Sequence, residues 1–111
     1  MRVTLRKKFS SGKFRIVPDQ ALEVVTEVLK LLAGRANEQL IAVHCHFKGN
    51  PWDCVAVIKL VMRSNRPGLP NKFVIAYEER FQIGNRCLGV SEMQNAVSSL
   101  LEWAVREGYS Y

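Results

Sequence analysis

The sequence predicts an α+β fold, a two-layer sandwich in which a mostly antiparallel sheet of four or five strands carries two helices on one face. Two segments have apolar residues at helical spacing, and they are separated by segments in which apolar and polar residues alternate. A length of 111 residues with 48% hydrophobic residues fits one globular domain, residues 1–111. Neither an internal repeat nor a linker divides the sequence.

The positive charge of the chain is concentrated at its N-terminus. The net charge is +6, and residues 1–18 contain six basic residues and no acidic one, whereas the ten basic and ten acidic residues that follow cancel. Apolar and basic residues alternate over 3–9 and 13–17, on either side of a Ser-Ser-Gly turn. This pattern predicts a basic β-hairpin over residues 1–18, integral to the domain, with Ile16 on its apolar side. The cations expected to face outward are Arg6, Lys8, Lys13 and Arg15.

A helix and a central strand are predicted after the hairpin. Asp19 is a candidate N-cap, apolar residues recur at helical spacing as far as residue 32, and Gly34 is a natural stop. Residues 39–47 alternate, and apolar residues on both faces at their start indicate a strand inside the sheet. On this strand His44 and His46 share one face, and Cys45 takes the other.

Residues 51–63 are compatible with two structures. Asn50 and Pro51 resemble a helix start, with Asn as the cap and Pro at the first position. The β-branched residues at 55, 57, 58 and 61 favour a strand instead, with 48–51 as a hairpin turn. A strand would point Lys59 and Arg63 outward and bury every second residue from 54 to 62. A helix would add a third helix at 51–63 and make the sheet mixed. We favour the strand.

A strand and a helix are predicted in the C-terminal part of the chain. Residues 72–81 alternate, with Phe73, Ile75 and Tyr77 in one row. A helix follows that begins at Ser91, in a capping box with Gln94, and ends at residue 108. Trp103 falls at the edge of the buried stripe of this helix, which suggests a contact between two copies of the chain.

Catalysis, cofactor binding and metal binding find little support in the residues. The sequence has no nucleophile elbow, glycine-rich phosphate loop or paired carboxylates, so we expect neither an enzyme nor a cofactor. His44 and His46 could reach one metal ion, with Asp53 or Cys54 as a third ligand, but the spacings of a structural zinc site are missing. We therefore predict no metal site and keep the two histidines as weak candidates.

Membrane insertion and secretion are not expected. The longest apolar stretch, residues 54–62, is interrupted by Lys59 and is much shorter than the roughly 20 residues that cross a bilayer. Residues 1–17 lack the apolar run of a signal peptide. Three cysteines cannot close a disulfide framework, so Cys45, Cys54 and Cys87 are expected to be thiols in a cytoplasmic or nuclear protein.

The localised basic block favours an anionic partner. We expect a small non-enzymatic nucleic-acid-binding domain, with RNA favoured over DNA, that binds phosphates through the hairpin. Phe9, Trp52 and Tyr77 are candidates for stacking on bases. The alternative is an oligomeric adaptor or assembly protein, such as a homodimer, that binds an acidic protein surface. The predicted nucleic-acid-binding residues are Arg6, Lys8, Lys13, Arg15, Lys59, Arg63 and Trp52.

Overall fold

The computed structural model describes residues 1–9, 16–34, 40–64, 68, 71–82, 89–104 and 106. A sheet of four strands and two helices confirm the predicted α+β architecture. In the sheet, the strands lie side by side in the order in which they occur in the chain. The elements are β1 (Arg2–Phe9), α1 (Asp19–Gly34), β2 (Leu40–Asn50), β3 (Asp53–Arg63), β4 (Lys72–Gln82) and α2 (Val90–Trp103).

The sheet is mixed, and its mixed character arises at the N-terminal strand. β1 pairs with β2 in parallel, whereas the β2–β3 and β3–β4 pairs are antiparallel. A parallel pair needs a crossover connection, and α1 lies in that connection. The mixed sheet therefore does not come from a third helix.

The second arm of the predicted N-terminal hairpin falls mostly outside the described residues. What the structure describes is one antiparallel bridge, between Lys8 and Ile16. The expectation that Ile16 lies on the apolar side is wrong, since its side chain is 80% exposed while Val17 is buried. Adjacent residues of an extended chain point to opposite sides, so the burial of Val17 exposes Ile16.

Both helices lie on one face of the sheet and form the core with it. Alternate residues of β3 face the helices and are fully buried, which confirms the strand interpretation of residues 51–63 and makes the helical alternative wrong. The apolar stripes of α1 and α2 pack against this row. The buried residues that form this contact are Ala21, Val25, Val28, Leu29 and Leu32 of α1, Cys54, Ala56, Ile58, Leu60 and Met62 of β3, and Met93, Val97 and Leu101 of α2.

A two-residue hairpin turn, Pro51 and Trp52, replaces the turn predicted at 48–51, because β2 continues to Asn50. The side-chain Oδ1 of Asn50 accepts hydrogen bonds of 2.9 Å from the backbone N–H groups of Trp52 and Asp53. A helix cap uses the same side-chain-to-backbone bonding, which explains why the sequence fits both structures. Gly49 precedes the turn with φ of +99°, and a Cβ there would collide with the carbonyl oxygen of Asp53.

The two predicted helix caps are wrong. Asp19 is the first residue of α1, and the carbonyl of Pro18 accepts a 3.0 Å hydrogen bond from the backbone N–H of Leu22. α2 begins at Val90, its N-cap is Gly89, and no side chain caps it. The capping positions are therefore Pro18 and Gly89, one and two residues before the polar candidates, and their backbone carbonyls accept the first helical hydrogen bonds. The predicted end of α2 at residue 108 lies outside the described residues.

Candidate anion-binding face

The side of the sheet that the helices leave uncovered, which we call the open face, carries most of the charge of the strands. Side chains alternate along a strand and directly paired residues share a face, so the open face consists of every second residue wherever the strands pair regularly. The β1–β2 register shifts between Leu5 and Phe9, so Lys7 and Lys8 are not assigned to a face, whereas Arg6 lies with His44 and Lys59 on the open face. Its charged and titratable residues are Arg2, Arg6, His44, His46, Lys48, Asp53, Lys59, Arg63, Lys72, Glu78 and Arg80.

Charge is sorted between the two layers of the fold. The helices hold one basic residue, Lys30, and five acidic ones, whereas the strands hold nine basic and three acidic residues. This separation is not visible in the linear sequence, where the charges of residues 19–111 cancel. The basic residues of the strands are Arg2, Arg6, Lys7, Lys8, Lys48, Lys59, Arg63, Lys72 and Arg80.

Both acidic residues of the open face are already held by a cation. The Nζ of Lys48 lies 2.9 Å from Oε1 of Glu78, and the Nε of Arg80 lies 3.2 Å from Oδ1 of Asp53. The remaining permanent cations of this face form no ion pair with any residue that the structure describes. These unpaired cations are Arg2, Arg6, Lys59, Arg63 and Lys72.

A depression of about 440 Å³ lies on the open face where β1, β2 and β3 run side by side. In the strand register Thr4, His44 and Lys59 are directly opposite one another, at the spacing of about 4.8 Å that separates neighbouring strands. The residues that line the depression are Thr4, Arg6, His44, Cys45, His46 and Lys59.

The depression has a positive electrostatic potential. The pKa of His46 is lowered from its usual 6.5, first by burial and then by the charges of Lys59, Arg6 and Lys48. Glu78 acts in the opposite direction but does not reverse the shift. His46 is therefore a neutral imidazole at neutral pH, surrounded by cations that disfavour its protonation.

Some of the predicted binding residues come together at this depression and others do not. Arg6 and Lys59 line it, as their outward orientation predicts. Arg63 lies on the same face but at the far end of β3, where it is directly opposite Lys72 in the register of β3 and β4. Lys8 is exposed near the end of β1, next to the buried Phe9. Lys13 and Arg15 lie outside the described residues.

Of the three aromatic residues considered for base stacking, Trp52 is the most exposed. It is 53% exposed in the β2–β3 turn, away from the depression. Phe9 is buried in the core, and Tyr77 packs against the core from the helix side while its hydroxyl donates a 2.6 Å hydrogen bond to Oε2 of Glu79. Burial in the core makes the stacking expectation for Phe9 wrong. Tyr77 is partly buried on the helix side of the sheet, away from the open face.

His44 and His46 do share a face, as predicted, but neither of the proposed third metal ligands, Asp53 and Cys54, lies near them. Asp53 is six positions along β3 from Lys59, the partner of His44, which corresponds to about 20 Å. Cys54 is buried on the opposite face. Among the described residues, no three His, Cys, Asp or Glu side chains are grouped closely enough to hold a metal ion.

The two described cysteines are poorly suited to thiol chemistry. Cys45 and Cys54 are both free and buried on the helix side of the sheet. Burial raises the pKa of the Cys45 thiol to about 12 and that of the Cys54 thiol to about 11. A nucleophilic cysteine must be a thiolate, and these groups stay protonated near neutral pH. Cys87 lies outside the described residues.

Sequence reasoning missed Arg2 and Lys72 as members of the charged face. The sequence does contain a signal for Lys72. Phe73, Ile75 and Tyr77 form the apolar row of this strand, so Lys72, which directly precedes that row, falls on the opposite face. Arg2 belongs to the basic N-terminal block, but its position beside Ala42 depends on a parallel pairing that no local pattern reveals.

Neither helix in the described ranges is long and apolar enough to cross a membrane. Comparison with protein-family models, with curated protein sequences and with solved structures finds no match to this chain. The function of the open face must therefore be inferred from its own geometry and charge.

Proposed function

We propose that this protein is a small non-enzymatic nucleic-acid-binding domain that binds the phosphates of single-stranded RNA with the open face of its sheet. The sorting of charge between the layers supports this most strongly. None of the five cations forms an ion pair with another described residue, and Arg63 and Lys72 lie directly opposite each other and repel, so an anion against this face would relieve the repulsion. A phosphate backbone supplies anions at regular intervals and releases its counterions when it is neutralised.

The shape of the open face favours a single strand over a duplex. Four strands about 4.8 Å apart span roughly 14 Å between the outer strand axes. The major groove of B-DNA is about 12 Å wide, so the whole face does not fit into it. A single strand can instead lie across a sheet, with its phosphates against cations and its bases unpaired. Trp52 at the hairpin turn and the partly exposed rings of His44 and His46 offer aromatic surfaces on which bases can stack.

The proposal moves the centre of phosphate binding from the predicted hairpin to the open face. Arg6 belongs to both, because it lies on β1 and lines the depression. Lys8 is exposed near the end of the same strand and extends the basic surface. Lys13 and Arg15 remain binding residues predicted from the sequence pattern alone.

Fluorescence anisotropy with labelled single-stranded RNA, duplex RNA and duplex DNA across a salt series tests this proposal. Five phosphate contacts with a single strand predict that a plot of the logarithm of the binding constant against the logarithm of the salt concentration has a slope of about −3.5. A variant with Arg6→Gln, Lys59→Gln and Arg63→Gln should bind more weakly and reduce the magnitude of the slope by about 2. Unchanged affinity in this variant, shown to be folded by circular dichroism, contradicts the proposal.

A matched pair of single variants separates the open face from overall charge. Lys59→Gln and Lys30→Gln each remove one positive charge, but Lys30 lies on α1, where its Nζ is 3.1 Å from Oε1 of Glu27. The proposal requires that Lys59→Gln weakens RNA binding several times more than Lys30→Gln does. Equal effects would mean that net charge, rather than this face, governs the interaction.

An oligomeric adaptor that binds an acidic protein surface is the second candidate function. Trp103 favours it, because this large aromatic side chain is 49% exposed on α2. Exposed tryptophans are frequent anchors of protein interfaces. Light scattering that shows a stable dimer, dissociated by Trp103→Ala, together with no RNA binding at low salt, would favour this function over the first.

A further inference from the structure

The depression on the open face differs from the rest of that face in the chemistry of its lining. Arg6 and Lys59 provide permanent positive charge, Thr4 provides a hydroxyl, and His44 and His46 provide imidazole nitrogens. Among the residues that the structure describes, no carboxylate lines it. The site is therefore rich in hydrogen-bond donors and suited to an anion with several acceptor oxygens.

Three neighbouring strands position these donors close together. Thr4 pairs with His44, and His44 pairs with Lys59, so their side chains rise from the sheet in one row across β1, β2 and β3. His46 follows two positions along β2 on the same face, about 7 Å from His44 at the backbone. A group bound at the centre of this arrangement is within reach of donors from all three strands.

Within the described ranges, no acidic residue pairs with the cations around the depression. Arg6 and Lys59 form no ion pair with any residue in the described ranges. Both line the depression together with His46, and their charges lower the pKa of its imidazole. The nearest acidic group of the open face, Glu78, is held 2.9 Å from Lys48.

We infer that this depression binds a terminal phosphate, the phosphomonoester at the end of an RNA strand, in preference to the phosphodiesters within it. A phosphomonoester carries a charge of about −1.5 to −2 near pH 7 and three acceptor oxygens, whereas a backbone phosphodiester carries a single charge. Two cations with three further donors match the monoester better. The volume of about 440 Å³ exceeds what a phosphate alone needs and leaves room for part of the terminal nucleotide.

The inference rests on the proposed function only for the source of the phosphate, and the same chemistry could come from a free nucleotide. The test uses three RNAs of one sequence with an internal fluorophore, carrying a 5′-phosphate, a 3′-phosphate or hydroxyls at both ends. We expect one phosphorylated RNA to bind about tenfold tighter than the RNA with hydroxyl ends at roughly 150 mM salt. Equal affinity for all three RNAs overturns the inference and leaves the proposed function standing.

Two variants assign the preference to the depression. Lys59→Gln should reduce the preference for the phosphorylated RNA from about tenfold to below about threefold. Arg63→Gln is the matched control, because Arg63 lies on the same strand and face but outside the depression. It should weaken the binding of every RNA by the same factor. A preference that survives Lys59→Gln unchanged overturns the assignment to this site.

A nucleoside 5′-monophosphate and the corresponding nucleoside distinguish the two sources of the phosphate. If no RNA binds, but the monophosphate and not the nucleoside shifts the NMR signals of His44 and His46, the phosphate site is supported and the proposed function is overturned. If neither the monophosphate nor any RNA shifts these signals, both are overturned.

Discussion

The Lys48 side chain of β2 reaches across β3 to Glu78 of β4, with 2.9 Å between Nζ and Oε1. The two residues are not on adjacent strands, because β3 lies between them. Val57 of β3 pairs with His46 on one side and with Glu78 on the other, and it is buried although it belongs to the open face. The ion pair thus separates the cationic depression from the Asp53 end of the sheet.

Removal of the Glu78 carboxylate should strengthen anion binding. Glu78→Gln frees the Lys48 ammonium and removes the one charge that raises the pKa of His46, so this pKa should fall further. RNA affinity should rise about two- to fivefold, as measured by anisotropy. The free energy of unfolding should change by less than about 1 kcal/mol, since both partners are exposed. Weaker RNA binding by this variant would contradict the role of the open face.

His46 should make the protein less stable in mild acid. Its pKa lies below 6.5 in the folded state, so the unfolded chain takes up the proton at higher pH than the folded chain does. Lowering the pH from about 7 through 6.5 therefore favours unfolding, and His46→Gln should flatten this pH dependence in urea titrations. A folded-state pKa of 6.5 or above, measured by NMR, would contradict the expectation.

The same NMR titration tests the cause of the shift. Lys59→Gln should raise the pKa of His46, because the Lys59 charge is the largest contribution after burial. Lys72→Gln removes an equal charge from the far end of the same face and should leave the titration of His46 unchanged. Equal responses to the two substitutions would show that the shift reflects the net charge of the protein.

The β2–β3 turn requires glycine at position 49. Gly49→Ala should reduce the free energy of unfolding by about 1–3 kcal/mol in urea denaturation, because φ of +99° is strained for alanine and the new Cβ meets the Asp53 carbonyl. Gly34→Ala is the control, since a Cβ at the last residue of α1 has no heavy atom within 4 Å. A loss for Gly34→Ala as large as that for Gly49→Ala would remove the local explanation.

The buried thiols should react with a disulfide reagent only after unfolding. In a Cys87→Ser background, Cys45 and Cys54 are expected to be inert at pH 8, because both are buried and their pKa values are raised to about 12 and 11. In denaturant, both thiols of each chain should become accessible and react. Rapid modification of the folded protein would contradict the placement of these strands against the helices.

The β-branched residues at 55, 57, 58 and 61 favoured the strand over the helix at 51–63, and strand alternation then predicted the buried row of β3. The caps were not predictable from polar residues alone, since Pro18 and Gly89 accept the first helical bonds through their backbone carbonyls. The candidate site was predictable only in part. Arg6 and Lys59 were identified as outward cations, but their meeting at one depression depends on the parallel β1–β2 register.

That parallel pairing also affects how the molecule folds. The partners in β1 and β2 are some 40 residues apart in the chain, as in Arg2 and Ala42, whereas the β2–β3 hairpin closes over two residues. Closing the longer loop costs more entropy, so β1 is expected to join the sheet after β2, β3 and β4 have paired, and to detach first. Amide hydrogens of β1 should then exchange faster than those of β3. Because β1 supplies Thr4 and Arg6, a bound phosphate should slow this exchange and couple anion binding to the last step of folding.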